Sequence, residues 1–215
     1  VCHPNILQLY AAYETPTSLI FVGELATGGR LLDHPGHRPD GTFPERLAIQ
    51  QVRGICEGVA HLHARCVAHC DLKPDNVMLF GPRHDLRARI IGFGLAQTFT
   101  NHRRRMRHVC GTSAYYSPEM VECYRGIEYD QNPGYDKAVD MWGVGLIAYI
   151  LLFGSNPFVR GSKQLTHDAI LHEDIRIHIR ADSGVSHAAT ACLRGLLDIY
   201  PEVRTTAEAA LESDW

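Results

Sequence analysis

An aspartate, a lysine and an asparagine lie within one stretch of six residues, at Asp71, Lys73 and Asn76. Groups of these types match the needs of phosphoryl transfer, which requires an in-line nucleophile and cations that neutralise the phosphate oxygens. A lysine ammonium can act there as a point charge beside a phosphate. The same spacing is also typical of a polar turn, so the surrounding sequence has to decide between the two interpretations.

The surrounding segment, His69–Asn76, reads His-Cys-Asp-Leu-Lys-Pro-Asp-Asn. It resembles the catalytic loop of protein kinases, H-R-D-x-K-P-x-N. The resemblance implies that Asp71 accepts the proton of a substrate hydroxyl and orients it. It also implies that Lys73 lies near the transferred phosphate and that Asn76 offers its amide oxygen to Mg²⁺.

Other segments resemble protein-kinase landmarks and follow the family's order. They are the turn His3–Ile6, the strand Leu19–Val22, the activation-segment pieces Cys110–Thr112 and Ser117–Glu119, and the buried-helix motif Asp140–Gly145. Arg204 falls where a family arginine pairs with Glu119. One such match is weak, but six in order identify the chain as a member of the protein kinases. Its calcium/calmodulin-dependent group, with phosphorylase kinase catalytic subunits and myosin light-chain kinases, is the most similar.

The resemblance also implies an ATP site. Glu24 and Ala26 fall in the hinge that meets adenine, and Met78 would lie beneath the adenine ring. Thr112 is expected to join the two charged residues of the loop as a catalytic residue. The implied cofactors are ATP and Mg²⁺, and the implied reaction transfers the γ-phosphate to a serine or threonine of a protein substrate.

Several departures from the family pattern predict an impaired kinase. The family's Asp-Phe-Gly is Gly92-Phe93-Gly94 here, so the carboxylate that holds the metal is absent. Mg²⁺ is usually bound through one or two carboxylates plus phosphates. Cys70 replaces the arginine that pairs with an activation-loop phosphate. A Gly-rich loop, a strand lysine and a starting Met are all absent from the sequence, which predicts a fragment.

Hydrophobic periodicity predicts the elements that position the loop. Apolar residues recur at spacings of four and three residues, which indicates one face of a helix leading into the loop: Ala48, Val52, Ile55, Val59 and Leu62. Val77–Phe80 and 87–91 indicate short strands. The apolar run 141–153 is too short to span a bilayer and indicates a helix buried on all sides. Thr205 and Glu208 fit a capping box for the last helix.

The predicted fold class is therefore α+β, as a protein-kinase-like fold. It would consist mostly of the helical large lobe, with a remnant of the small-lobe sheet. Residues 1–25 would form the remnant, with the last strands and the start of the hinge, and residues 26–215 the large lobe. We expect a two-stranded piece within Leu7–Leu25 and a buried ion pair between Glu119 and Arg204.

The amino-acid composition limits which classes of protein this chain can belong to. The 215 residues are 45% hydrophobic, enough for one sizeable core, and carry a net charge of −3. This charge provides no global field for nucleic acid or anionic membranes. Seven cysteines without a Cys-x-x-Cys pair or a secretory leader predict reduced thiols in an intracellular, cytoplasmic protein. His61 and His63 do not share a helix face, which disfavours a metal site.

Three functional hypotheses remain open. The first is an ATP-dependent serine/threonine kinase, which rests on the retained catalytic-loop residues. The second is a non-catalytic pseudokinase that acts as a binding or scaffold module, which rests on Gly92, Cys70 and on Arg30 in place of a family glutamate. The third is a gene product without a selected function. The expected partner is a protein substrate or a scaffold partner, and calmodulin regulation is expected only outside this chain.

Overall fold

A computed structural model describes residues 2–99, 105–127, 134–175, 178–179 and 184–215. The expected activation segment, 92–119, therefore lies partly outside the described residues, at 100–104. The strands are β1 Leu9–Glu14, β2 Leu19–Gly23, β3 Val67–Ala68, β4 Val77–Phe80, β5 Arg87–Ile90 and β6 Gln97–Thr98. The α-helices are α1 Glu45–His63, α2 Pro118–Ile127, α3 Ala138–Phe153, α4 Lys163–His172, α5 His187–Leu196 and α6 Ala207–Leu211.

The strands form three small antiparallel sheets, each a pair: β1 with β2, β3 with β6, and β4 with β5. The hairpin of β1 and β2 lies within Leu7–Leu25, where two strands are expected, and its partners run from Leu9 opposite Gly23 to Glu14 opposite Leu19. The β4–β5 pair directly follows the predicted catalytic loop in the sequence. Together with the helices, these sheets give the α+β class that the sequence predicts.

Helix α1 follows its predicted apolar stripe, because all five residues of that stripe are buried. It packs against α3, α6 and β5. Helix α3 is buried on all sides, as predicted: its Trp142 is fully buried and stacks on Phe158 with ring centroids 5.4 Å apart. Among the described residues, no helix is both long enough and apolar enough to cross a membrane.

The catalytic-loop segment lies directly on α3 because Gly143 has no side chain. A Cβ at Gly143 would lie 2.8 Å from the main-chain oxygen of Leu72, closer than real Cβ atoms approach a neighbour. The catalytic-loop segment therefore packs directly against helix α3. A glycine at this point costs some helix stability, by roughly 1 kcal/mol relative to alanine, and the close approach of the loop explains why it is there.

The predicted capping box of the last helix is wrong by one residue. The N-cap of α6 is Thr206, whose hydroxyl accepts a hydrogen bond from the Ala209 main-chain N–H at 3.2 Å. Thr205 instead donates its main-chain N–H to the Gly195 carbonyl of α5 at 3.0 Å. Thr205 thus links α5 to the start of α6, and Thr206 is the residue that caps α6.

The predicted Glu119–Arg204 ion pair is confirmed. The guanidinium donates two hydrogen bonds to the carboxylate, at 2.6 and 2.9 Å. The Arg204 side chain is fully buried and also donates to the carbonyls of Asp198 and Ala138, each at 2.9 Å. The pair therefore joins the end of the activation segment to α3 and to the chain after α5.

Candidate active site

The Asp140 carboxylate, at the start of α3, holds the loop that carries Asp71. It accepts the main-chain N–H groups of His69 and Cys70 at 2.8 and 2.9 Å. It also lies 2.9 Å from Nε2 of His63, at the end of α1. Cys70 is thereby held at φ +64°, a left-handed conformation that costs a non-glycine residue roughly 1–2 kcal/mol.

These contacts decide the charge of Asp140. Burial alone would raise the pKa of this carboxyl group, because it disfavours the charged form. The hydrogen bond and charge of His63 and the main-chain N–H of His69 outweigh burial, so the pKa of Asp140 is lowered from its usual value. A charged carboxylate therefore anchors the loop at neutral pH.

His69 makes a second connection from the loop. Its fully buried ring accepts the Asp71 main-chain N–H at Nδ1, at 3.3 Å, and its Nε2 lies 2.8 Å from the carbonyl of Ile91. These contacts assign the neutral tautomer with the proton on Nε2. The ring of Phe93 packs edge-on against His69 at 5.1 Å. The loop is thereby fixed to the segment that contains Gly92.

The expected catalytic residues lie together. Asp71 Oδ1 accepts the main-chain N–H of Thr112 at 2.8 Å, and its Oδ2 lies 3.3 Å from Nζ of Lys73. Lys73 in turn donates a hydrogen bond to the hydroxyl of Thr112. The Asp71 side chain is 10% exposed and that of Lys73 20% exposed, so both remain accessible at the surface of the loop.

Asn76 joins this group through the nitrogen of its amide. It donates to the Asp71 carbonyl at 2.7 Å and to Asp71 Oδ2 at 2.9 Å. The amide oxygen of Asn76 consequently points the other way, towards Gly92. A Cβ at Gly92 would lie against this oxygen and 2.8 Å from Cγ of Asn76. Position 92 is therefore the place from which a side chain would meet the Asn76 oxygen.

The residues around position 92 do not complete a magnesium site of the kind that the resembled protein kinases have. The Asn76 oxygen is available, but Gly92 contributes no carboxylate beside it. Both oxygens of Asp71 already accept hydrogen bonds, and Asp75 is exposed. Across the described ranges, no group of three or more His, Cys, Asp or Glu side chains is placed to hold a metal ion. His63 contacts Asp140.

The residues expected at adenine are positioned by β4. Met78 is half-buried in this strand and forms a bridge with Arg30. The main-chain N–H of Gly28 donates to the carbonyl of Leu79 at 2.9 Å, so the chain after β2 runs along β4. Ala26 is half-buried in that chain.

The Glu24 side chain is held by an ion pair. Its carboxylate pairs with Arg89 of β5, whose guanidinium lies 4.6 Å from the centre of the Phe80 ring. The Glu24 main-chain N–H donates to the carbonyl of Gln8 at 3.0 Å. The predicted contact of Glu24 with adenine would therefore use its carbonyl.

Sequence reasoning missed the positioning residues of the site. Asp140 was recognised only as a landmark, and the contacts of His63 and His69 with it were not foreseen. Gln97 was also missed: its amide nitrogen lies 2.7 Å from the hydroxyl of Tyr135 and 3.1 Å from the carbonyl of His108. The one available signal was a charged Asp140 inside a strongly apolar helix, since a buried charge needs partners.

The whole chain is similar to known protein kinases. The family model described as protein kinase domain matches residues 1–215. A probable myosin light chain kinase of Dictyostelium discoideum is 37% identical over 215 residues, which cover 100% of this chain and 58% of the relative. Human calcium/calmodulin-dependent protein kinase type IV is 38% identical, with 99% of this chain and 43% of that protein covered. The chain thus spans about half the length of the curated relatives it matches.

Proposed function

This chain belongs to the protein kinase domain family, and we propose that it is a serine/threonine-kinase-like domain in which phosphate transfer is impaired. The reaction of the family would move the γ-phosphate of ATP to a serine or threonine of a protein. The observation that carries the proposal is the position of Gly92, which faces the Asn76 oxygen without a carboxylate.

The retained part of the site supports the family assignment of roles. The Asp71 carboxylate, held by Thr112 and Asn76, would accept and orient the hydroxyl of a protein substrate. The Lys73 ammonium, which reaches both Asp71 and Thr112, would be the cation beside the transferred phosphate. We assign Thr112 to positioning Asp71 and Lys73. Glu24, through its carbonyl, and Ala26 and Met78 would meet the adenine.

The missing part accounts for the impairment. Electrostatic stabilisation is usually the largest catalytic contribution, and loss of one preorganised group costs roughly 10²–10³-fold in rate. A hydroxyl oriented by Asp71 gains nothing when the γ-phosphate is not positioned opposite it. Lys73 cannot replace the lost ligand, because it is a cation. We therefore expect very slow transfer or none.

The alternative is a pseudokinase that binds a protein partner without catalysis. The contacts of the Asp140 carboxylate with His63, His69 and Cys70, here called the Asp140 clamp, favour it together with the Glu119–Arg204 pair. Neither needs nucleotide or metal to hold the helical part together. In either case the proposed partner is a protein. The human relative is named as calcium/calmodulin-dependent, and calmodulin is therefore the regulator that we propose for this protein.

Magnesium-dependent nucleotide binding tests the proposal. We expect ATP to bind the full-length protein weakly or not at all, with the same affinity in the presence of Mg²⁺ and of a chelator, because the carboxylate ligand is absent. Isothermal titration with ATP under both conditions provides the measurement. An affinity that increases tenfold or more when Mg²⁺ is added would contradict the proposal.

A further inference from the structure

Two cysteines lie against each other where the catalytic loop meets the activation segment. Cys70 is 5% exposed and Cys110 is 8% exposed, and both are free. The Cys70 thiol donates to the Ala68 carbonyl at 3.6 Å, and the Cys110 thiol donates to the Leu95 carbonyl at 3.7 Å. The amide nitrogen of Gln97 lies 3.3 Å from Sγ of Cys110 and 3.8 Å from Sγ of Cys70, so one side chain contacts both sulfurs.

The main chains that carry the two cysteines also run close together. The N–H of Thr112 donates to Asp71 Oδ1 at 2.8 Å. Gly111 has φ +102°, and a Cβ there would lie 2.7 Å from the carbonyl oxygen of Cys70. A disulfide needs Cα atoms about 4.4–6.8 Å apart. Gly111, the neighbour of Cys110, therefore lies against the main chain of Cys70, which brings the two cysteine-bearing segments into direct contact.

The two thiols differ in acidity. The neighbouring Cys70 and a hydrogen bond from Gln97 lower the pKa of Cys110 to about 6, against the opposing effect of burial. The pKa of Cys70 is raised, first by its interaction with Cys110 and then by burial. Thiolates are the nucleophilic form of cysteine, and a sensor cysteine often has a second cysteine beside it. Cys110 fits the first role and Cys70 the second.

We propose that mild oxidation by a peroxide joins Cys70 and Cys110 in a disulfide. The Cys110 thiolate attacks one oxygen of hydrogen peroxide, the O–O bond breaks, and a sulfenic acid and hydroxide form. The hydroxide takes the proton of the Cys70 thiol. The Cys70 sulfur then attacks the Cys110 sulfur and expels the sulfenic oxygen as hydroxide. One peroxide is reduced while two cysteines are oxidised.

The bond would tie the activation segment to the catalytic loop beside Asp71. In the family resemblance, the position of Cys70 belongs to an arginine that pairs with a phosphate on that segment. A covalent link between Cys70 and Cys110 would replace this charge pair by a connection that responds to oxidant. The inference does not rest on the proposed function, because the bond forms whether or not the chain transfers phosphate.

Peptide mapping tests the inference directly. Trypsin releases one peptide, 66–83, with Cys66 and Cys70, and another, 108–125, with Cys110 and Cys123. After treatment with one equivalent of hydrogen peroxide and blocking of the remaining thiols, we expect these two peptides to be linked. Tandem mass spectrometry of the parent protein should place the bond at Cys70 and Cys110, and dithiothreitol should remove it.

Four serine variants identify the cysteines independently. Cys70→Ser and Cys110→Ser should each abolish the linked peptide. Cys66→Ser and Cys123→Ser, the controls within the same two peptides, should retain it. The fragment spectra of the parent protein decide the outcome if a variant does not fold. A bond that uses Cys66 or Cys123, or peroxide treatment that leaves Cys70 and Cys110 as free thiols, would overturn the inference.

Discussion

Replacing Gly92 by aspartate is expected to raise the rate of ATP-dependent phosphorylation by roughly 10²–10³-fold, the usual effect of one preorganised electrostatic group. The new carboxylate would stand beside the Asn76 oxygen, where position 92 faces. At 1.36 kcal/mol for each tenfold change, this gain equals about 3–4 kcal/mol of transition-state stabilisation. Magnesium-dependent nucleotide binding should appear in the same variant.

Two structural costs limit the size of this gain. Gly92 has φ +80°, a conformation in which aspartate is among the better tolerated residues but is still strained. The Asn76 oxygen must also move, because the new Cβ would overlap it. Asn76 can turn only by weakening its hydrogen bonds to Asp71. We therefore expect partial recovery of the rate that an intact site would give.

Gly94 provides a matched control for this experiment. It lies two residues further along the same segment, and a Cβ there would have no neighbour within 4 Å. Gly94→Asp adds the same charge without reaching Asn76, so its phosphorylation rate should equal that of the parent. Equal rates in Gly92→Asp and Gly94→Asp, measured with radiolabelled ATP and a serine/threonine peptide library, would contradict the assignment of position 92.

Replacing Glu119 by alanine is expected to lower the free energy of unfolding by roughly 3–5 kcal/mol, the usual cost of removing one partner from a buried ion pair. The fully buried Arg204 would keep its charge without its carboxylate. The three carbonyls that it also contacts carry only partial charges and cannot compensate. The loss is a large fraction of the total stability of a typical domain, about 5–15 kcal/mol.

Urea denaturation measures this loss against a matched control. Glu122 lies on the same helix, α2, and is exposed. Glu122→Ala should change the unfolding free energy by less than about 0.5 kcal/mol, as is usual for an exposed position. If Glu119→Ala and Glu122→Ala unfold at the same urea concentration, the ion pair does not stabilise the fold.

The sequence predicts the local parts of the site well. Asp71, Lys73 and Asn76 are close in the chain, so the short loop between β3 and β4 brings them together. The apolar stripe of α1 predicts that this face of the helix is buried, and the apolar run of α3 predicts that this helix is buried on all sides. Glu119 and Arg204 are distant in sequence, and their pairing is predictable only because a whole family resembles this chain at both positions.

The sequence does not predict contacts that depend on how separate elements pack. The Asp140 clamp requires α3 to meet the loop 70 residues earlier. Glu24 forms an ion pair with Arg89 because β5, which carries Arg89, lies beside Glu24 in the fold. Cys70 and Cys110 stand beside each other because Gly111 allows a close approach of two chains. The position of Asp140 inside an apolar helix indicates that it needs a partner but not which one, and neither residue types nor their spacing indicates the other two arrangements.

The phosphorylation rate of the parent protein compared with that of Asp71→Asn tests the central claim most directly. The full-length parent protein and Asp71→Asn are each assayed with ATP, Mg²⁺ and the same peptide library under single-turnover conditions. Thermal unfolding of both proteins checks that Asp71→Asn is folded. We predict that both rates are near the background measured without protein and do not differ. A parent rate in the ordinary kinase range of about 1–100 s⁻¹, abolished in Asp71→Asn, would contradict it.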